Sequence, residues 1–247
     1  YNRGENCKGK NSSAVNVGNQ ISIKGSSMLK GLIVSCQARF DNPLYGSNYM
    51  SAMAVCAAEG GAEGIRANGP KDIKTIREKV NVPIIGINKI FSQNSDIYIT
   101  PSKEAALEVA RAGASIIGLD ATNRPRIFEP LHEIISYIKN ELNCLVLADV
   151  SNLKEALNAE ILGTDYIATT LSGYTANNFK SNSDPDLELV KILVTKCKTP
   201  IIAEGRFENP RQVLSAFEHG VAAVVVGTAI TNPREITRKF VNQIGNF

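Results

Sequence analysis

Eight apolar runs in this chain stand out for the residue at or near their C-terminal end, which in seven of the eight is polar or charged. LIVSCQ (32–37) closes on Gln37, GIRA (64–67) carries Arg66, and PIIGINK (83–89) closes on Lys89. SIIGLD (115–120) and CLVLAD (144–149) close on Asp120 and Asp149, and DYIATT (165–170) on Thr170. PIIAE (200–204) closes on Glu204 and AAVVVG (222–227) on Gly227. A buried charge without a partner is costly. Two cations, three carboxylates and an amide brought to one mouth satisfy one another and can hold a polar substrate. An amine and a carboxylate together also suit proton transfer.

Each residue has a plainer role to set beside this one. Asp149 precedes VSNLKEAL and Asp120 precedes ATNR, so either can cap a helix. Arg66 and Lys89 can be members of structural ion pairs. Glu204 is harder to explain that way, because it ends PIIAE and is followed at once by Gly205 and Arg206. No metal site is expected. The two histidines, His132 and His219, fall in helical stretches, and Arg66 and Lys89 would make a Mg²⁺ held by Asp120, Asp149 and Glu204 redundant. Cys36 is read as strand packing, since no histidine stands at a strand end to activate it.

The elements that must position these groups follow from periodicity. The eight runs are nearly continuous in apolar residues, as in parallel strands covered on both faces. Amphipathic stretches separate them. PKDIKTIREKV opens on Pro, SKEAALEVARAG has a Ser cap and a Gly stop, and SAMAVCAAEGG ends in a Gly pair. LHEIISYIKN, SNLKEALNAEILG, DLELVKILVTKC, NPRQVLSAFEHG and NPREITRKFVNQI complete the set. Eight strand–helix units predict an α/β chain folded as one (β/α)₈ TIM barrel over 28–247, with a doubly wound sheet as the alternative. KVNVPIIGINK (79–89) and KCKTPIIAEGR (196–206) echo each other and suggest equivalent units.

In such a barrel the strand C-termini build the site, and the loops after strands seven and eight take phosphate. Gly205 and Gly227 stand at those two loops, where backbone N–H groups can approach an anion. Arg206 can add a charge-assisted bond or stay solvated.

Composition narrows the remaining classes. The chain has 247 residues, 43% hydrophobic and 21% charged, with a formal net charge of +3. Residues 1–30 carry five cations against Glu5, which leaves −1 for the rest. That argues against a nucleic-acid surface. No apolar stretch approaches the ~20 residues of a membrane span. The five cysteines are scattered without a CxxC pair, which predicts a reducing, cytoplasmic setting. Residues 1–27 are rich in Asn, Ser, Gly and Lys and are read as a polar extension outside the barrel.

As a group these motifs resemble the N-acetylmannosamine-6-phosphate 2-epimerase family. The resemblance runs from about Leu32 to Phe240 through LIVSCQ, GGAEGIRANG (60–69), PIIGINK, IYITP (97–101), LDAT (119–122), LADVS (147–151), TTLSGYT (169–175), IIAEGR (201–206) and VVGTAIT (225–231). It implies a TIM barrel with no cofactor that interconverts N-acetylmannosamine 6-phosphate and N-acetylglucosamine 6-phosphate. The implied partner is that small amino-sugar phosphate, without nucleic acid or membrane; a homodimer is allowed for. Gln37, Arg66, Lys89, Asp149 and Glu204 match the family's site residues. Phosphate contacts are implied from Gly205, Arg206, Gly227 and Thr228. Three positions depart: Ile90 and Asn232 stand where arginine is usual, and Thr228 where a second glycine is usual.

On this reading Lys89 and Glu204 are the acid/base pair at C2. Arg66, Asp149 and Thr170 orient sugar groups, and Gln37 hydrogen-bonds the sugar. The rivals are a Schiff-base aldolase with Lys89 as nucleophile, another phosphorylated-metabolite enzyme on the same barrel, and a non-catalytic sugar-phosphate sensor.

Overall fold

The computed structural model describes residues 29–175 and 184–245. The 1–27 extension lies outside them. Eight parallel strands close on themselves in sequence order: β1 (Gly31–Cys36), β2 (Gly64–Asn68), β3 (Ile84–Ile87), β4 (Ile116–Asp120), β5 (Leu145–Asp149), β6 (Tyr166–Ala168), β7 (Ile201–Glu204) and β8 (Ala223–Val226). Pairing of β1 with β8 completes the barrel, so the doubly wound alternative is excluded.

The helices are α1 (Ser47–Glu59), α2 (Pro70–Arg77), α3 (Lys103–Arg111), α4 (Leu131–Asn140), α5 (Leu153–Ile161), α6 (Leu187–Lys196), α7 (Pro210–Glu218), the one-turn α8 (Thr228–Thr231) and α9 (Pro233–Ile244). Local chemistry starts several of them. Ser102, Asn152, Asp186, Asn209 and Asn232 each accept a backbone N–H at a helix N-terminus. The α5 cap is therefore Asn152, which leaves Asp149 free for other work. The turn α8 was not expected from the sequence, because four residues carry no readable period. Helix α9 has no buried residue, and its Phe240, Val241 and Ile244 are exposed.

Strand geometry explains why the polar residues converge. Side chains alternate between the faces of a strand. The barrel interior is filled by Leu29, Ile33, Ile85, Ile116, Leu147, Tyr166, Ala168, Ile202, Ala223 and Val225. Gln37, Lys89, Asp120, Asp149, Thr170, Glu204 and Gly227 each lie an even number of residues beyond one of these. Arg66 pairs in register with Ser35 and Ile85, which gives it the same parity. Leu29 closes the lower end by donating its N–H to the Tyr166 hydroxyl at 3.0 Å.

Two glycines make room. At Gly86 a Cβ would meet Val109 Cγ1 at 2.4 Å and Ala114 Cβ at 2.6 Å, so β3 lies close against its helices. At Gly118 a Cβ would meet Ile87 at 2.8 Å and stand 3.6 Å from Arg66 Nη2. The bare backbone there is what admits a guanidinium into the barrel. The echoing segments 79–89 and 196–206 form β3 and β7, which face each other across the barrel.

Candidate active site

A cavity of about 440 Å³ opens at the C-terminal ends of the strands, within the ~300–1,000 Å³ range of small-molecule sites. Gln37, Arg66, Lys89, Thr170, Glu204, Gly205, Arg206, Gly227 and Thr228 all line it. Asp149 and Asp120 do not.

Arg66 stands at its centre and is 1% exposed. Its Nη1 and Nη2 donate to the two oxygens of Asp149 at 3.0 and 2.6 Å, a bidentate pair. Nη1 also donates to Glu204 Oε2 at 2.5 Å and to Thr170 Oγ1 at 3.3 Å. The Thr170 hydroxyl donates to Asp149 Oδ1 at 2.6 Å. Burial opposes the charge of Arg66, but the two carboxylates outweigh it and push its pKa up, so it stays a cation.

Asp149 is fully buried behind the guanidinium. It was expected to orient the sugar directly. Its oxygens are instead spent on Arg66 and Thr170, so it positions those groups. Asp120 also departs from its neighbours. It accepts from the backbone and hydroxyl of Thr122 and pairs with Arg124 at 2.5 Å, while Arg126 bonds its carbonyl. It holds the loop after β4 and takes no part in the cavity.

Lys89 lies just beyond β3, where the chain changes partners. Its N–H donates to Asn68 Oδ1 at 2.9 Å, and it bridges Ile99 in antiparallel fashion. Thr100 donates N–H to Asn88 O and Oγ1 to Gly118 O. These bonds fold 88–100 back over the barrel mouth and shorten the expected strand to Ile87. They also bring Tyr98 into the cavity wall, stacked on Phe91 at 5.0 Å. The IYITP run hinted at this, but as a motif with no readable partner.

Two pKa displacements in the cluster oppose each other. Burial lowers that of Lys89, aided by Arg66 and resisted by Glu204 and Asp149. Burial raises that of Glu204, resisted by Arg66 and aided by Asp149. Its carboxylate is 14% exposed and shares Arg66 with a second carboxylate, so the upward direction stands despite the close guanidinium. The two shifts bring the groups closer in proton affinity, as in sites where titratable groups are tuned for acid/base work.

Beyond β7, Gly205 and Arg206 both take positive φ, at 117° and 60°. The non-glycine strain at Arg206 is held in place by its side chain. Nε donates to Asp184 O at 2.7 Å, Nη1 to Ser172 O at 2.8 Å, and the guanidinium lies 5.2 Å from the Tyr174 ring centroid. Arg206 was considered for phosphate. These bonds make it a strap between the loops after β6 and β7.

Cys36 is buried, and burial pushes its thiol up to about 12, so it is no nucleophile. Neither His132 nor His219 lines the cavity. Among the described residues no group of three or more His, Cys, Asp and Glu is placed to hold a metal ion. Sequence reading missed Ser35, Arg39, Asn42, Tyr98, Tyr174, Thr231 and Arg234, which also line the cavity, as does Asn232. Ser35 was within reach, two residues before Gln37 on the inward face. Arg39, Asn42, Tyr98 and Tyr174 come from loops without a period, while Thr231 ends the one-turn α8 and Arg234 lies in the first turn of α9.

Comparisons with known proteins bear on the same residues. The profile of a family described as "Putative N-acetylmannosamine-6-phosphate epimerase" matches residues 50–246. A relative from Listeria welshimeri is 46% identical over 217 residues, which cover 87% of this chain and 92% of the relative. One from Clostridioides difficile is 48% identical over 214 residues, 86% and 95% of the two chains. Both are described as "Putative N-acetylmannosamine-6-phosphate 2-epimerase". The solved N-acetylmannosamine-6-phosphate 2-epimerase of Clostridium perfringens superposes with a TM-score of 0.84 at 42% identity, over 87% of this chain and 94% of that one.

The buried ion pair yields a stability prediction. Removing Asp149 leaves Arg66 with one carboxylate where it had two. Asp149→Ala should lower unfolding free energy by about 3–5 kcal/mol in urea titration. A loss below ~1 kcal/mol would mean that Arg66 does not depend on this partner.

Proposed function

The chain belongs to the N-acetylmannosamine-6-phosphate epimerase family, and we propose that it interconverts N-acetylmannosamine 6-phosphate and N-acetylglucosamine 6-phosphate. The observation that carries this reading is that Lys89, just beyond β3, and Glu204, at the end of β7, line one cavity together with a buried guanidinium that is paired with Glu204. Inverting C2 of a hexosamine requires taking its proton from one face and returning one to the other. Ring opening to the aldehyde makes that proton more acidic, because the electron pair can pass to the carbonyl oxygen.

In this reading the neutral amine of Lys89 takes the C2 proton and becomes an ammonium. The C2–H electron pair forms the C1–C2 double bond, and C2 becomes planar. Glu204, protonated, delivers its proton to the opposite face of C2 and becomes a carboxylate, as the C1–C2 π pair forms the new C2–H bond and the enolate oxygen's pair re-forms the C1 carbonyl. Proton return from Lys89 to Glu204 resets the pair. The lowered pKa of Lys89 and the raised pKa of Glu204 support these starting forms. Arg66 holds Glu204 at 2.5 Å and keeps a fixed positive charge beside the developing enolate. Gln37 and Thr170 face the sugar. Gly205, Gly227 and Thr228 offer backbone N–H groups to the phosphate.

The cytoplasm is the setting in this reading. The four described cysteines are all free, and no described helix is long and apolar enough to cross a membrane. A homodimer belongs to it as well, supported by the exposed apolar residues of α9. A solution mass of one chain by light scattering would remove that part.

Proton NMR of the purified protein with N-acetylmannosamine 6-phosphate in D₂O, with EDTA present, tests the activity. The gluco epimer should appear with deuterium at C2. Lys89→Ala should slow it by ~10²–10⁴-fold, the usual worth of one acid/base group. Borohydride with substrate should leave Lys89 unmodified. Binding without conversion or exchange would sink the proposal, as would wild-type turnover by Lys89→Ala.

A further inference from the structure

We infer that Arg39, in the loop between β1 and α1, is the side-chain cation that binds the substrate's phosphate. This rests on the reading above, since it names the charge that would pair with a phosphorylated ligand at that site. The starting point is the charge balance along the β7–β8–β1 side of the cavity. Backbone N–H groups of the Gly205 and Gly227 loops can approach an anion there, but a phosphate dianion also needs a cation to offset its desolvation.

Three arginines line that side: Arg39, Arg206 and Arg234. Two of them are committed. Arg206 gives Nε and Nη1 to the carbonyls of Asp184 and Ser172. Arg234 gives Nη1 to the Asp41 carbonyl and Nη2 to the Asp41 carboxylate, both at 3.0 Å, and its Nε lies 3.8 Å from Glu235. The neighbouring acids are likewise neutralised. Asp41 has Arg234, and Glu208, the one carboxylate in that wall beyond Glu204, is paired with Lys239.

Asn232 brings no charge, and its amide oxygen is already used. It accepts from Glu235 N to cap α9 and from Asn42 Nδ2 at 3.3 Å.

Among the described arginines of that side, Arg39 is what remains. Its guanidinium makes no hydrogen bond or ion pair with any described residue, yet it lines the cavity and is near enough for its charge to act on Lys89. The Asp41–Arg234 pair ties its loop to the start of α9, so the free cation is carried on an anchored segment. An unpaired arginine, beside two loops of backbone donors and facing neutralised acids, has the chemistry of a phosphate partner.

The test compares wild type, Arg39→Leu and Arg39→Lys. The dissociation constant for inorganic phosphate is read from ligand-induced thermal shift, and KM and kcat from N-acetylmannosamine 6-phosphate. Arg39→Leu should weaken phosphate and raise KM by ~10–100-fold, as for loss of one charged hydrogen-bonding partner. The larger change should be in KM, and Arg39→Lys should recover part of it. A role in packing alone would show no such recovery. Phosphate affinity and KM both unchanged in Arg39→Leu would overturn the inference while leaving the epimerase reading intact. Should the wild-type chain bind phosphate through Arg39 yet never epimerise the sugar, the inference holds and the functional reading falls.

Discussion

One guanidinium shared between two carboxylates is the interaction on which the site depends. Arg66 is buried inside the barrel, where a lone cation would be prohibitively costly. Asp149 grips it from below with two parallel bonds, and Glu204 takes a third from the side. With Glu204 ionised the trio carries a net charge of −1, and a protonated Lys89 supplies the balancing cation; with Glu204 protonated and Lys89 neutral the group is balanced without it. This arithmetic leaves Glu204 and Lys89 responsive to each other. Asp149 favours a proton on Glu204, while Arg66 disfavours one on Lys89. Burial, with Asp149 acting on Glu204 and Arg66 acting on Lys89, thus sets the direction in which each group is shifted.

The fold serves that arrangement in specific ways. Parallel strands in register place Ser35, Arg66 and Ile85 side by side on the inner face. Gly118 leaves the volume that Arg66 occupies. Thr169 links β6 to β7 by accepting from Glu204 N at 3.0 Å and donating to Glu204 O at 2.9 Å, so the strand end that carries the carboxylate cannot swing. The 88–100 segment does the same for Lys89 through Asn68 and Ile99. The acid and the base are therefore held by backbone, and only their side chains are free to meet a substrate.

Much of this was readable from residue type and period. Eight apolar runs imply closure, and the five that carry Arg, Lys, Asp or Glu near their upper ends mark strands whose ends need partners. The period of two then puts every such residue on the inner face. What period cannot convey is depth. Asp149 and Glu204 look alike as strand-end acids, but Asp149 is level with Asp120 in register and fully buried against Arg66, whereas Glu204 reaches the cavity. Loop residues were less legible still. Arg206 follows a glycine as a phosphate ligand might, yet its positive φ turns it toward two carbonyls. Arg39 sits in ARFDNPLYG with nothing around it in sequence to indicate a role, because its setting is made by Asp41, Arg234 and Asn232 from the other end of the chain.

The most direct test of the account is the titration of the Lys89 amine itself, followed by NMR of a selectively labelled lysine side chain. Burial and Arg66 lower its pKa, while Glu204 raises it. The wild-type amine should therefore lose its proton below the range of a solvent-exposed lysine. In Glu204→Gln the carboxylate's support for the ammonium is gone, so the titration should move lower again. A Lys89 that titrates in the ordinary lysine range, or one indifferent to Glu204→Gln, would contradict the claim that the two form one proton-sharing pair around Arg66.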